Sequence, residues 1–158
     1  MPKRVNQSDG EDLVLTSAAQ LLRRGYSRRK HEAFYAAQKK ADDQEPIMYG
    51  MNSRLVKRKT DTCTNRYGKL EECTRLPLKK LFHGCKKAED VAENDAQREV
   101  IRLLIEFYRT GDLKLFDAYS IAWLKDTDSL VDFVNGFIES YGDPLGMKAS
   151  WESIVNFK

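Results

Sequence analysis

The chain is short of the residues that build the commonest catalytic centres. Its 158 residues include two histidines, three cysteines and four prolines. Four prolines and nine glycines exclude collagen-like and low-complexity classes. The longest purely aliphatic run, Leu103-Leu104-Ile105, falls far below the ~20 apolar residues that a membrane helix needs. Residues Met1 to Gly10 carry charge but no apolar stretch, so no secretory leader is expected. Cys63, Cys73 and Cys85 are odd in number and widely spaced, unlike a secreted disulfide framework. A soluble, cytoplasmic protein is expected.

The motif inventory is equally sparse. A zinc peptidase helix needs two histidines one turn apart, with a glutamate beside the first acting as base. His31-Glu32 begins such a string, but Ala33-Phe34-Tyr35-Ala36 follows, and the other histidine, His83, stands alone. The cysteines lack the close pairing of zinc ribbons. There is no Gly-rich phosphate loop and no nucleophile elbow. Asn6-Gln7-Ser8 is a formal glycosylation sequon, without meaning in a protein that is not secreted. No metal or cofactor site is expected from these residues.

What the chain has is charge, unevenly spread. Residues 21–31 and 57–87 hold 15 of the 27 basic residues but three of the 24 acidic ones, leaving 12 basic against 21 acidic residues elsewhere. The overall balance of +3 therefore belongs to two segments. Nucleic-acid recognition calls for basic stripes interleaved with aromatics, and 57–87 offers only Tyr67 and Phe82. A solvated basic loop is the expected form of 57–87, poorly ordered because self-repulsion adds to a weak core.

A 41% hydrophobic content excludes a wholly disordered chain. Val91, Ala96, Val100, Ile101, Leu104, Ile105 and Tyr108 recur at helical spacing and predict an amphipathic helix from Glu89 to Arg109. Asp90 and Glu93 suit its positive end, and Gly111 its left-handed stop. Asp112 can cap a second helix carrying Leu113, Phe116, Tyr119 and Trp123, giving an αα-hairpin. Val131–Tyr141 and Trp151–Phe157 are β-branched and aromatic, and read as a β-hairpin or two consecutive strands. Asp143-Pro144-Leu145-Gly146 between them matches a type I turn. Along the second strand Ala149, Trp151, Val155 and Phe157 form one face. In the N-terminal half, Ser27 is placed to cap a helix towards Lys40, and Ile47–Val56 reads as extended, broken by Gly50 and Asn52. The expected fold class is α+β: an irregular part over 1–87, then a helical hairpin and a β-hairpin over 88–158.

The run from Val131 to Phe157, containing Gly136-Phe137-Ile138-Glu139-Ser140-Tyr141-Gly142-Asp143-Pro144, resembles a segment of the dipeptidyl peptidase III family, especially its bacterial members. Ala92–Gln97, Tyr108–Leu113 and Trp123–Asp128 resemble the stretch before it. Met1–Val14, Glu32–Tyr35 and Tyr49–Lys57 fit as well. The resemblance implies a two-lobed, zinc-dependent exopeptidase that removes dipeptides from peptide N-termini. This segment would lie in the non-catalytic lobe, a β-barrel with helices forming one wall of the cleft. The family's His-Glu-x-x-Gly-His zinc motif would lie downstream, so zinc is expected in the full-length member and not in this chain. Glu71-Glu72 echoes the family's second zinc motif only superficially. The resemblance also implies that Asp132, four positions before Gly136, helps hold the substrate's terminal ammonium. Where the family has a tyrosine two residues beyond this acid, the chain has Val134.

Residues 21–31 and about 58–87 leave the family pattern, as a local shift of reading frame or a lineage-specific insertion would each make them do. The implied function is a dipeptidyl peptidase III segment, inactive alone and prone to self-association through its apolar strands. The alternatives are a non-enzymatic peptide-binding derivative of that lobe and a basic nucleic-acid-binding module.

Overall fold

The computed structural model describes residues 5–17, 27–44, 47–57, 63–68 and 75–158. Five helices occur among these residues: α1 (Leu13–Thr16), α2 (Arg28–Ala36), α3 (Arg75–Asp90), α4 (Asp95–Thr110) and α5 (Leu113–Lys125). Four strands make two small sheets, β1 (Ser53–Lys57) with β2 (Cys63–Tyr67), and β3 (Val131–Glu139) with β4 (Ser150–Phe157). The class is α+β, with the expected helical hairpin followed by paired strands. The chain folds into two compact units, one of Met1–Arg66 with Asn135–Ser153, the other of Tyr67–Val134 with Ile154–Lys158.

The second unit is built on α4. Val100, Ile101, Leu104, Ile105, Phe107 and Tyr108 are all buried on it, while Arg98, Glu99, Arg102 and Arg109 face solvent and pair at i,i+3 spacing. Gly111 stops the helix at φ +73, and its N–H returns to the Phe107 carbonyl. Asp112 caps α5 by accepting from the Lys114 N–H. Phe116 then packs on Phe107 with ring centroids 4.9 Å apart.

The start of α4 differs from the sequence expectation. Asn94 Oδ1 accepts from the Gln97 N–H at 2.9 Å, so the helix begins at Asp95, and Ala88 to Asp90 belong to α3. Val91 is 79% exposed and contributes nothing to the apolar face. Ala96 is exposed as well.

The expectation of a loop over 57–87 is also corrected, by β2 and α3. Leu78, Leu81, Phe82 and Cys85 recur at i, i+3, i+4 and i+7, with Leu78 buried and the other three half-buried. Lys79, Lys80, Lys86 and Lys87 face water between them, so the basic run is the outer face of a helix. Pro77 sits in the first turn, where its missing N–H costs no intrahelical bond. The side chain of Cys63, all of Cys73 and the Glu71-Glu72 pair lie outside the described residues, as do residues 21–26.

In the first unit, α2 follows Ser27 as expected but ends at Ala36, short of Lys40. The Asp143–Gly146 turn closes as expected, the Gly146 N–H reaching the Asp143 carbonyl at 3.1 Å. Asp143 Oδ2 accepts from the Met147 and Lys148 N–H groups at 2.8 and 3.1 Å. Gly50 lies so close to this loop that a Cβ there would fall 2.0 Å from the Met147 carbonyl oxygen. Only glycine permits that approach. The predicted apolar face of β4 is not a core face: Ala149 is buried, but Trp151, Val155 and Phe157 are exposed.

Candidate functional site

Asp132 is the second residue of β3, and side chains from α5 and from the entry to α4 fix its surroundings. Trp123 Nε1 on α5 donates to Asp132 Oδ1 at 2.8 Å. The other oxygen, Oδ2, lies 4.0 Å from Lys158 Nζ, and the carboxylate is about a third exposed (31%). One oxygen is thus locked to an indole, while the other lies at loose ion-pair distance from an ammonium.

The backbone just before Asp132 is held from both sides: the Lys158 N–H donates to the Leu130 carbonyl at 2.8 Å, and side chains of the α4 entry bond the remaining groups of residues 130 and 131. Glu93 Oε2 accepts from the Leu130 N–H and Glu93 Oε1 from the Val131 N–H, both at 2.8 Å. Gln97 Nε2 donates to the Val131 carbonyl at 2.9 Å and to Glu93 Oε1 at 3.2 Å. Gln97 Oε1 in turn accepts from the Glu93 N–H at 2.8 Å. Asn94 Nδ2 reaches Ser129 Oγ, which donates to the Asp126 carboxylate. The Val131 N–H, followed by that of Leu130, holds the Glu93 carboxyl below the usual glutamate range. By sequence alone Glu93 suits the positive end of a helix and Trp123 one face of the next, and nothing in their spacing ties either to this site. The pattern Asn94-x-x-Gln97 is the one local signal, since Asn at N-cap with Gln three residues later is a variant of the capping box.

Among the described residues the two histidines and Cys85 do not converge. Among the described residues no group of three or more His, Cys, Asp or Glu side chains could hold a metal ion. His31 is fully buried on α2, its Nδ1 bonded to the Ser27 carbonyl at 3.1 Å, and burial pushes its pKa down. His83 is exposed on α3. Cys85 is a free thiol whose pKa burial pushes up, the opposite of a reactive thiolate. The described residues do not fit a tetrahedral zinc centre, which needs at least three converging ligands. Among the described residues no helix is long and apolar enough to cross a membrane.

Lys148 is the other unusual charged group. It is 1% exposed, and its Nζ donates to the Tyr35 hydroxyl and, at 2.8 Å, to Ser53 Oγ. It also lies 5.0 Å from the centroid of the Tyr35 ring. Burial drives its pKa down to about 7, against the pull of Asp143. These residues all belong to the first unit.

The architecture recurs in solved structures. The structure of DPP III from Caldithrix abyssi matches 98% of this chain with a TM-score of 0.70 at 17% identity. That of dipeptidyl-peptidase III from Corallococcus sp. strain EGB matches 88% with a TM-score of 0.67 at 16% identity. At such identities the likeness defines the fold, an α+β portion of a much larger protein, of which the chain covers 29% and 25% respectively. The model of peptidase family M49 matches residues 6–158, and the chain belongs to that family. Dipeptidyl peptidase 3 of Homo sapiens is 32% identical over 78 residues, that of Rattus norvegicus 31% over 78, and that of Dictyostelium discoideum 32% over 79. Each alignment takes in about half of this chain and 11% of the relative, so the matched part spans about a tenth of the relatives' length.

Proposed function

We propose that this chain is the substrate-side portion of a zinc-dependent dipeptidyl peptidase: it grips the terminal ammonium of a peptide through Asp132 and does not cleave the peptide alone. Membership of the peptidase family supports the first part. The observation that carries the second is the divided carboxylate of Asp132. Its Oδ1 is satisfied by Trp123, while Oδ2 has an ammonium, that of Lys158, 4.0 Å away. A peptide's α-ammonium has the same charge and donors as Lys158 Nζ. An exopeptidase needs such a fixed anion, because pairing it with the terminal amine sets how many residues precede the scissile bond. The chemical step, and the zinc for it, would come from elsewhere in the whole protein. A reducing, cytoplasmic setting agrees with the free thiol of Cys85.

The test uses the ¹⁵N-labelled chain, tetra-alanine and N-acetyl-tetra-alanine. Tetra-alanine is expected to move the Trp123 indole resonance saturably, and the acetylated peptide should not. A charge-assisted bond contributes about 1.5–3 kcal/mol, so Asp132→Asn should weaken binding about 10- to 150-fold. Equal responses to the two peptides would overturn the ammonium-binding role. Zinc-dependent release of a dipeptide from an arylamide substrate by this chain would overturn its inactivity.

A further inference from the structure

The entry to α4 makes more hydrogen bonds to β3 than a helix cap requires. A helix N-terminus leaves its own N–H groups in need of acceptors, and Asn94 supplies one in the ordinary way. Glu93 points elsewhere. Both of its oxygens accept backbone N–H groups from two successive residues, Leu130 and Val131, thirty-odd positions further along the chain. Gln97 then takes the Val131 carbonyl. Both backbone groups of Val131 are therefore satisfied by side chains of the α4 entry, which do the work of a neighbouring strand at the residue just before Asp132. From the other side, Trp123 fixes which Asp132 oxygen is engaged.

We infer that Glu93 is a positioning residue, with Gln97 as its partner: together they set the place and direction of the Asp132 carboxylate by clamping residues 130 and 131. This rests on the ammonium-binding reading of Asp132, although the clamp itself can be tested apart from it. A carboxylate is suited to the task because it presents two acceptors and no donor, matching two adjacent N–H groups. Its amide matches only one, because the NH₂ group would face the second N–H. The pair Glu93–Gln97 also closes on itself, each side chain bonding the other's residue, so neither can swing away without breaking several bonds at once.

The experiment compares Glu93→Gln with the unaltered chain, both ¹⁵N-labelled, and reads three signals. The Leu130 and Val131 amide protons report the clamp, the Trp123 indole proton reports its bond to Asp132, and tetra-alanine affinity reports the site. In Glu93→Gln at least one of the two amides should move upfield, and the indole proton should shift towards its free position. Tetra-alanine affinity should fall about fivefold or more, a loss smaller than that of Asp132→Asn. Amides inside the α4–α5 core, such as those of Leu104 and Phe116, should keep their shifts. Movement of the Leu130 and Val131 amides with no change in the indole signal would overturn the inference, leaving Glu93 as a local staple. If Glu93→Gln fails to fold, Glu93→Asp, which keeps the charge and shortens the reach, serves in its place. Should the unaltered chain fail to distinguish tetra-alanine from its acetylated form, the function falls. The indole signal then still decides the clamp.

Discussion

The two units bury different kinds of residue. Among the described residues the second unit buries ten apolar side chains, from Leu78 to Tyr119, against two polar ones, Gln97 and Ser129. The first buries four apolar side chains, Val14, Tyr35, Leu55 and Ala149, against Asn6, Ser17, His31, Asn52, Asp143 and Lys148. One unit is held chiefly by area removed from water, which is non-directional and forgiving. The other depends on buried hydrogen bonds, each of which becomes a liability once its partner is lost. Their responses to substitution and to pH should differ accordingly.

The largest effect should come from the apolar unit. Phe107 is 1% exposed and packs on both Tyr108 and Phe116. Phe107→Ala removes the transfer energy and leaves a cavity, for a loss of about 3–5 kcal/mol. Urea unfolding followed by helical circular dichroism measures it. A loss below about 1 kcal/mol would mean that this core is loosely packed.

The polar unit should instead be tuned by pH, through Lys148. Its folded pKa is about 7, against 10.5 for a free lysine. Between those values the unfolded chain binds one more proton than the folded one, so stability rises with pH. Below about pH 7 both states are protonated, and the full cost of burying the charge is present. At about 1.4 kcal/mol per pH unit the gain from pH 7 to pH 10 is at most about 4 kcal/mol. His31, pushed down by burial, acts in the same direction in mild acid, because it must charge on unfolding there. Asp143 draws both pKa values up, and so moderates the effect. Lys148→Met should flatten the alkaline limb of the stability profile and raise stability at pH 6. A wild-type profile that falls between pH 7 and pH 10 would show that Lys148 keeps its charge when buried.

This contrast also sets what could be read from the residues in order. α4 and α5 were legible because their signals are local: apolar residues every three or four positions, Gly111 and Asp112 at the joint, and Asp143-Pro144-Leu145-Gly146 as a turn. α3 is equally periodic, but its five exposed basic positions, Lys79, Lys80, His83, Lys86 and Lys87, mask the rhythm of Leu78, Leu81, Phe82 and Cys85. The partners of Lys148 lie 95 and 113 positions away, at Ser53 and Tyr35, and no spacing rule reaches that far. Asp132 stands out in the sequence through the family resemblance alone. Its supports, Trp123 and Glu93, are ordinary helix-forming or core-seeking residues until the fold brings them to it.

The smallest effect concerns the boundary that the apolar period misplaced. Asn94 does two jobs, accepting from the Gln97 N–H through Oδ1 and donating to Ser129 Oγ through Nδ2. Asn94→Ala loses both, and an N-cap deletion of this kind costs about 1 kcal/mol. Asn94→Asp keeps the acceptor and places a negative charge at the positive end of α4, which contributes about 0.3–1 kcal/mol. It loses only the bond to Ser129. The aspartate variant should therefore unfold within about 0.5 kcal/mol of the parent, and the alanine variant clearly below it. Equal losses in the two variants would locate the value of Asn94 in its tie to Ser129 and not in the cap. In that case α4 would begin where it does because the loop before β3 holds it there, and Ser129→Ala should reproduce the whole effect.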